Sequence, residues 1–237
     1  MKKIFLFLMS LIMSTAAFAA ENSLYNFSWL DNDKEIYVLQ NRKFRKVGNF
    51  YAGATGAYNL SQAFVDSYGG TLRGGYFFTE DWGIEFVYGK NSNSENDTAK
   101  GVRDQATVPF YRQIESYMGA MIMWSPFYSK INTFNQIFYF DWLFGVGVGS
   151  ITTEDNRNLF DTTSADKNKL TNESNIGALW TTGFRFYINQ SWSLRLDITG
   201  QTYNADKVTR SSVSGPTSKK SKLYNNYDLG LGLNYAF

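Results

Sequence analysis

Apolar and polar residues alternate with a period of two along much of this chain, most plainly over residues 227–237. Tyr227, Leu229, Leu231, Leu233, Tyr235 and Phe237 fall on one face; Asp228, Gly230, Gly232, Asn234 and Ala236 fall on the other. A period of two marks a β-strand. The first face is aliphatic in the middle and aromatic at both ends, the profile of a strand that crosses a bilayer.

The pattern predicts seven further strands. Strand one, residues 50–58, is rich in small residues and its facing is ambiguous. Strand two, 67–77, sets Tyr68, Leu72 and Tyr76 against Thr71 and Arg73. Strand three, 82–90, turns Trp82, Ile84, Phe86 and Tyr88 outward and Glu85 and Val87 inward. Strand four, 113–124, is apolar on both faces, so its facing rests on Glu115: if Glu115 points inward, Met118, Ala120, Ile122 and Trp124 face outward. Strand five, 134–149, has Phe138, Phe140, Trp142, Phe144, Val146 and Val148 outward and Asp141 inward. Strand six, 176–187, has Trp180, Phe184 and Phe186 outward and Arg185 inward. Strand seven, 192–203, has Trp192, Leu194, Leu196 and Ile198 outward and Arg195 and Asp197 inward.

The connections sort by length. Tight turns are expected at 78–81, around Pro126, Ser129 and Lys130, and at 188–191; long polar loops are expected over 91–112, 150–175 and 204–222. Membrane barrels carry short turns at one end and longer loops at the other. The fold class expected is therefore all-β, an eight-stranded antiparallel transmembrane β-barrel. Residues 76–86 and 186–196 also match each other loosely, each a strand, a four-residue turn and a Trp that opens the next strand.

Charge sharpens this picture. Charged residues within the strand bodies fall opposite the apolar face, as expected where Arg or Lys facing lipid costs roughly 2–4 kcal/mol. Arg73, Glu85, Glu115, Asp141, Arg185, Arg195, Asp197 and Asp228 form the predicted interior charge network. The lumen of eight strands is only wide enough for side chains to fill, and charges held there must pair. The set reads as a structural core that plugs the barrel, or as a narrow conduit gated by re-pairing.

The N-terminus adds a destination. Lys2 and Lys3 precede an apolar run, and Ala17-Phe18-Ala19 is a small-x-small site, so residues 1–19 read as a signal peptide cleaved after Ala19 or Ala20. Residues 20–49 then form a periplasmic leader and 50–237 the barrel. Arg42, Lys43, Arg45 and Lys46 read as a docking strip for a periplasmic partner or an anionic surface, or as a solvated leader against the barrel rim. Without Lys2 and Lys3, the 23 basic residues fall to 21, equal to the 21 acidic ones, and no nucleic-acid partner is expected. The chain has no Cys and no His, which excludes thiol chemistry, Cys/His metal sites and a His base. The acidic run Thr153-Glu154-Asp155-Asn156 lacks calcium-loop spacing. No cofactor and no enzymatic activity are expected. The external loops are candidates to meet lipopolysaccharide or other cells, with Lys219, Lys220 and Lys222 near lipid phosphates.

Two resemblances follow from these residues. The closing strand ending on Phe237 resembles the assembly signal of bacterial outer-membrane barrels, which implies the barrel-assembly machinery as a partner. The run Ile36-Tyr37-Val38-Leu39-Gln40-Asn41-Arg42-Lys43-Phe44, with Pro126-Phe127-Tyr128-Ser129-Lys130, Phe140-Asp141 and Gly145-Val146-Gly147-Val148-Gly149, resembles outer-membrane barrels of Bdellovibrio-like and myxobacterial (predatory and gliding) bacteria. The overall shape is similar to small barrels of the OmpA/OmpX type. The resemblance implies fold, an outer-membrane location and envelope-complex or adhesion roles among relatives, and no activity.

Overall fold

The computed structural model describes residues 42–105, 109–133, 136–159, 170–207 and 220–237. The signal peptide over 1–19, residues 20–41 of the leader and Lys219 lie outside the described residues. Eight strands pair in sequence order and close into a barrel: β1 (Phe50–Asn59), β2 (Val65–Phe77), β3 (Trp82–Glu95), β4 (Arg112–Thr133), β5 (Gln136–Asp155), β6 (Thr171–Tyr187), β7 (Trp192–Lys207) and β8 (Lys220–Ala236). A helix, α1 (Asp97–Asp104), capped by the Asn96 side chain on the Ala99 amide, interrupts the β3–β4 connection. One end of the barrel, the terminal end, carries the start of β1 and the end of β8; the other is the distal end.

Closure settles the facing of strand one. β1 runs antiparallel to β8 from Tyr51↔Ala236 to Asn59↔Asp228. Tyr51, Thr55 and Asn59 are buried and point inward, while Phe50 and Tyr58 are exposed. The inward face of β8 is small because β1 needs the room. A Cβ on Gly232 would lie 2.3 Å from the Ala54 carbonyl oxygen and 2.6 Å from the Thr55 Cα.

The outer face is an apolar belt. Leu72, Phe86, Ile122, Val146, Leu196 and Leu231 are all exposed. Aromatic rings bound it. At the terminal end Phe50 lies against Tyr76 (4.6 Å between centroids), Trp82 against Trp124 (6.0 Å) and Trp192 against Tyr235 (5.1 Å). At the distal edge Tyr58 lies against Tyr68 (5.0 Å) and Trp180 against Tyr227 (5.8 Å). From Phe50 to Tyr58 the strand advances ~26 Å at ~3.3 Å per residue, or about 20 Å along the axis at a tilt near 40°. That matches the hydrocarbon span of a thin bilayer.

The two similar stretches share one turn geometry. In the first, the amides of Phe78 and Thr79 donate to the Trp82 carbonyl, and Thr79 Oγ1 accepts from the amides of Asp81 and Trp82. In the second, Ile188 and Asn189 donate to the Trp192 carbonyl, and Asn189 Oδ1 accepts from Ser191 and Trp192. In both, the residue before the Trp offers its carbonyl to the next strand over, to Ser125 and to Ala236 respectively, at 2.7 Å.

Two expectations are corrected. The turn placed around Pro126, Ser129 and Lys130 is not a turn. β4 continues to Thr133, and the β4–β5 ladder runs on to Thr133↔Gln136. A bulge between Trp124 and Phe127 absorbs Pro126, which has no N–H to give a regular ladder. The hairpin therefore overhangs the terminal end, since β3 pairs with β4 only as far as Trp82↔Trp124. The second correction concerns the loops. The ends of 91–112, 150–175 and 204–222 are strand, because β3 reaches Glu95, β5 and β6 remain paired to Asp155↔Thr171, and β7 and β8 to Lys207↔Lys220.

The β1–β8 seam sets a prediction. Gly232→Val should destabilise the barrel by about 1–3 kcal/mol, the usual penalty for overpacking, measured as a fall in the urea midpoint of the gel-mobility shift of unheated protein. Gly70→Ala, where an added carbon meets nothing within 4 Å, should change stability by about 0.5 kcal/mol or less.

Candidate functional site: the filled interior and its strap

Inward positions of β2, β3 and β7 bring four charges into a closed ring near mid-height. Arg73 Nη1 meets Glu85 Oε1 at 2.9 Å, and Arg195 Nη1 meets Glu85 Oε2 at 2.5 Å. Arg195 Nε meets Asp197 Oδ2 at 2.6 Å, and Arg73 Nη2 closes the ring on Asp197 Oδ1 at 3.4 Å. Each carboxylate thus faces both guanidiniums. Tyr51 donates to Glu85 at 2.5 Å and Arg73 to Thr199 at 2.8 Å. The ring side chains are at most 1% exposed. Such burial is tolerated only with this degree of pairing.

The rest of the lumen is divided. Along the middle of β4, β5 and β6 the inward residues are mainly apolar: Tyr117, Met121, Met123, Leu143, Ile151 and Leu179 belong to the core cluster, which Tyr51, Phe77 and Val87 extend onto β1 to β3. On the other side Asp228 accepts from Asn59 Nδ2 at 2.7 Å and Gln201 Nε2 at 2.6 Å, with amides in place of an ion pair. Arg185 stacks over Tyr51, 4.6 Å from the ring centre, and also faces Phe77.

Glu115 does not join the network. It sits at a register shift between Ile114 and Ser116, half-buried, because the bulge inserts an extra residue there and breaks the parity that would have pointed it inward. The outward facing of Met118, Ile122 and Trp124, argued from that carboxylate, is nevertheless what the structure has.

A second cluster lies at the distal end, where loop had been expected. Arg112 meets Asp155 at 2.8 Å and Glu173 at 2.9 Å; Arg157 meets both at 2.6 Å. The hydrogen bond with Asp155 raises the Arg157 guanidinium further above its ordinary value. Asp155 and Glu173 were legible: each continues the inward parity of its strand. Arg112 was not, because the bulge at Glu115 reverses parity before it, and Arg157 lies beyond the strand. Beside this cluster is a cavity of about 310 Å³ lined by Phe64, Tyr111, Tyr203, Tyr224 and Asn226.

At the terminal end residues 42–49 form a strap across the mouth, with Arg42, Phe44 and Lys46 turned toward the barrel. Arg42 donates twice to Asp81 at 3.1 Å. Phe44 stacks on Tyr187 (4.8 Å, 7°) and meets Tyr139 edge-on (5.4 Å). Lys46 Nζ enters the lumen, 2.9 Å from Asp141 Oδ2 and 2.7 Å from Ser125 Oγ, above the Phe77 ring. Tyr187 donates to the same Asp141 carboxylate. Burial pulls the Lys46 ammonium below its ordinary pKa, with Asp141 opposing. Of the four predicted docking cations, Lys46 is therefore consumed inside and Arg42 is held by the β2–β3 turn. Lys43 and Arg45 remain exposed. A cavity of only about 30 Å³ is left beside the strap.

Lys46 also completes a charge balance. Among the described residues the buried cations are Lys46, Arg73, Arg112, Arg185 and Arg195, and the buried anions are Glu85, Asp141, Asp155, Asp197 and Asp228. Without the strap the barrel encloses one more anion than cation. The predicted assembly residues Tyr227, Leu229, Leu231, Leu233, Tyr235 and Phe237 all lie on the outer face, exposed, and contribute nothing to the interior.

The closed ring of strands, the apolar belt and the filled polar interior define a transmembrane β-barrel of the small, OmpA/OmpX-like architecture. No protein-family model and no curated protein matches the sequence. Among solved structures the chain is similar to the N-terminal β-barrel domain of Pseudomonas aeruginosa OprF, at 13% identity and TM-score 0.46, covering 81% of this chain and 98% of that one. It is likewise similar to Neisserial surface protein A (13%, TM-score 0.48, 79% and 97%) and to OprG of Pseudomonas aeruginosa (13%, 0.47, 82% and 98%). The architecture itself rests on the ladders described above.

The ring makes a testable demand. Arg195→Met should cost about 3–5 kcal/mol, since it leaves buried carboxylate charge uncompensated. Arg195→Met with Glu85→Gln, which leaves Arg73 and Asp197 as one pair, should recover most of that loss. Urea titration of both variants in the same detergent checks it.

Proposed function

We propose that this is an integral outer-membrane protein with a structural or interaction role, exercised at its two ends rather than through its lumen. The observation that carries this reading is the filled interior. A four-charge ring spans the middle, an apolar cluster occupies the β4–β6 side, and the strap closes the terminal mouth. What remains for function is surface: the distal hairpins of β5–β6 and β7–β8, α1, and the terminal face with its overhanging β4–β5 hairpin.

In this reading residues 1–19 direct export and are removed, the terminal end faces the periplasm, and the distal end faces outward. The outer face meets membrane lipid and lipopolysaccharide, and the strand ending on Phe237 is presented to the barrel-assembly machinery. Lys43 and Arg45, the exposed half of the basic run, remain available to an envelope-complex partner. Kinship with barrels of predatory and gliding bacteria belongs to the same reading, resting on residues 36–44 and 126–149. No reaction is assigned: the chain has neither His nor Cys, which excludes a His base and thiol chemistry, and no motif points to a Ser-Lys or paired-carboxylate arrangement.

A narrow ion conduit is the second reading, favoured by the polar wall of Thr55, Gln201, Asp228 and Asn234 along β7, β8 and β1. Planar-bilayer recording separates the two. The purified protein should give no reproducible unitary steps; discrete steps abolished by changing Asp228 or Glu85 would replace the first reading with the second.

A further inference from the structure

We propose that the terminal mouth is a peptide seat, that residues 42–46 are its intramolecular ligand, and that an extended segment of a periplasmic protein with the same Arg-x-Phe-x-Lys alternation can take it and release the leader. The strap is recognised in the way a bound peptide is. Side chains at alternate positions enter three separate sub-pockets while Lys43 and Arg45 between them stay exposed. The first sub-pocket is acidic, made by Glu80 and Asp81 of the β2–β3 turn. The second is aromatic, made by Tyr139 and Tyr187, with Tyr128 accepting the Phe44 amide at 3.3 Å. The third takes an ammonium, with Asp141, Ser125 and the Phe77 ring around it.

Three further features separate this seat from ordinary packing. Within residues 42–46 the backbone is held by barrel side chains, Tyr128 accepting the Phe44 amide and Glu80 the Lys46 amide (3.1 Å); the backbone pairing to β2 begins only beyond the seat, where Gly48 donates to the Phe77 carbonyl at 2.8 Å and Phe77 to the Asn49 carbonyl at 3.3 Å. One wall of the aromatic sub-pocket, Tyr128 and Tyr139, is built by the β4–β5 hairpin where β4 runs on past its pairing with β3; Tyr187 of β6 is the other. Gly48, at φ +78°, turns the chain between the seat and β1, so the seated residues and the strand are separated by a glycine turn. The sub-pocket charges select the ligand: two anionic pockets flank an aromatic one, so a basic–aromatic–basic segment fits and an acidic or purely apolar one does not. The Asp141 Oδ1 atom, buried and without a hydrogen-bond partner, leaves further capacity for an ammonium donor. That the incoming segment is periplasmic rests on the sidedness proposed above; the seat itself does not, and its failure would leave that reading standing.

The test uses the full-length chain in a neutral detergent and a fluorescein-labelled peptide of sequence Arg-Lys-Phe-Arg-Lys-Val, the chain's own residues 42–47. Phe44→Ala with Lys46→Ala empties two sub-pockets in cis, and gel mobility of unheated samples establishes that the barrel is folded. Anisotropy should show the peptide binding this variant at least about tenfold more tightly than wild type, the size of one charge-assisted hydrogen bond. Binding should be lost when norleucine replaces the peptide's second Lys, and when Asp141→Asn is added to the variant. Should the double variant fail to fold, Lys46→Met keeps the strap's bulk in place and carries the same comparison. Equal affinity for wild type and variant, or binding indifferent to norleucine and to Asp141→Asn, would overturn the proposal.

Discussion

A backbone amide in hydrocarbon has no water to bond, and that constraint governs this molecule. An open sheet would leave two rows of unpaired groups in lipid, each costing several kcal/mol. The β1–β8 ladder removes both rows at once, from Tyr51↔Ala236 to Asn59↔Asp228. Other features follow from it. Closure with eight strands fixes a narrow lumen, the narrow lumen forces inward side chains into contact, and contact between charges forces them to pair. The glycines of β8 answer the same demand from within, because Thr55 and Asp197 occupy the space that Cβ atoms at Gly230 and Gly232 would need.

The interior shows two ways of holding a buried carboxylate. Glu85 and Asp197 are each shared between two guanidiniums, so charge cancels charge. Asp228 is held by two amides, which supply donors but no charge. Asp141 is a third case: its ammonium partner comes from outside the barrel wall, on the strap. The strap is therefore part of the barrel's electrostatics and not an appendage resting on its rim.

Sequence patterning reached as far as hydrocarbon reaches. The outward faces of β2, β3 and β5 to β8 were legible because lipid enforces one apolar face per strand; β4, apolar on both faces, gave no such choice. Beyond the belt the outer face turns polar while the inner face is itself partly polar (Thr153, Asp155), so the alternation fades, and the ladders of β5–β6 and β7–β8 continue unseen in what reads as polar loop. The two bulges of β4 were hidden for a different reason. A bulge shifts parity by one residue without changing composition, which misplaced Glu115 and concealed Arg112. Strand one was ambiguous because Ala52, Ala54 and Gly56 carry no polarity; only pairing with β8 decides it. The strap had a usable signal. Arg42, Phe44 and Lys46 share one parity, and a run of positive charge drew attention away from it.

The position of Lys46 in the chain has a consequence for the order of events in assembly. Lys46 lies far ahead of its partner on β5 in the chain, with β1 to β4 between them. Until β5 is in place, the ammonium has no carboxylate to meet, and until the strap settles, Asp141 has no cation. The first described segment of the chain is thus among the last that can be completed. Proteins rich in such distant pairings fold slowly, because the chain must be looped before the contact rewards it. The Lys46–Asp141 contact closes a loop that contains four strands, so the mouth is completed only once those strands are in place.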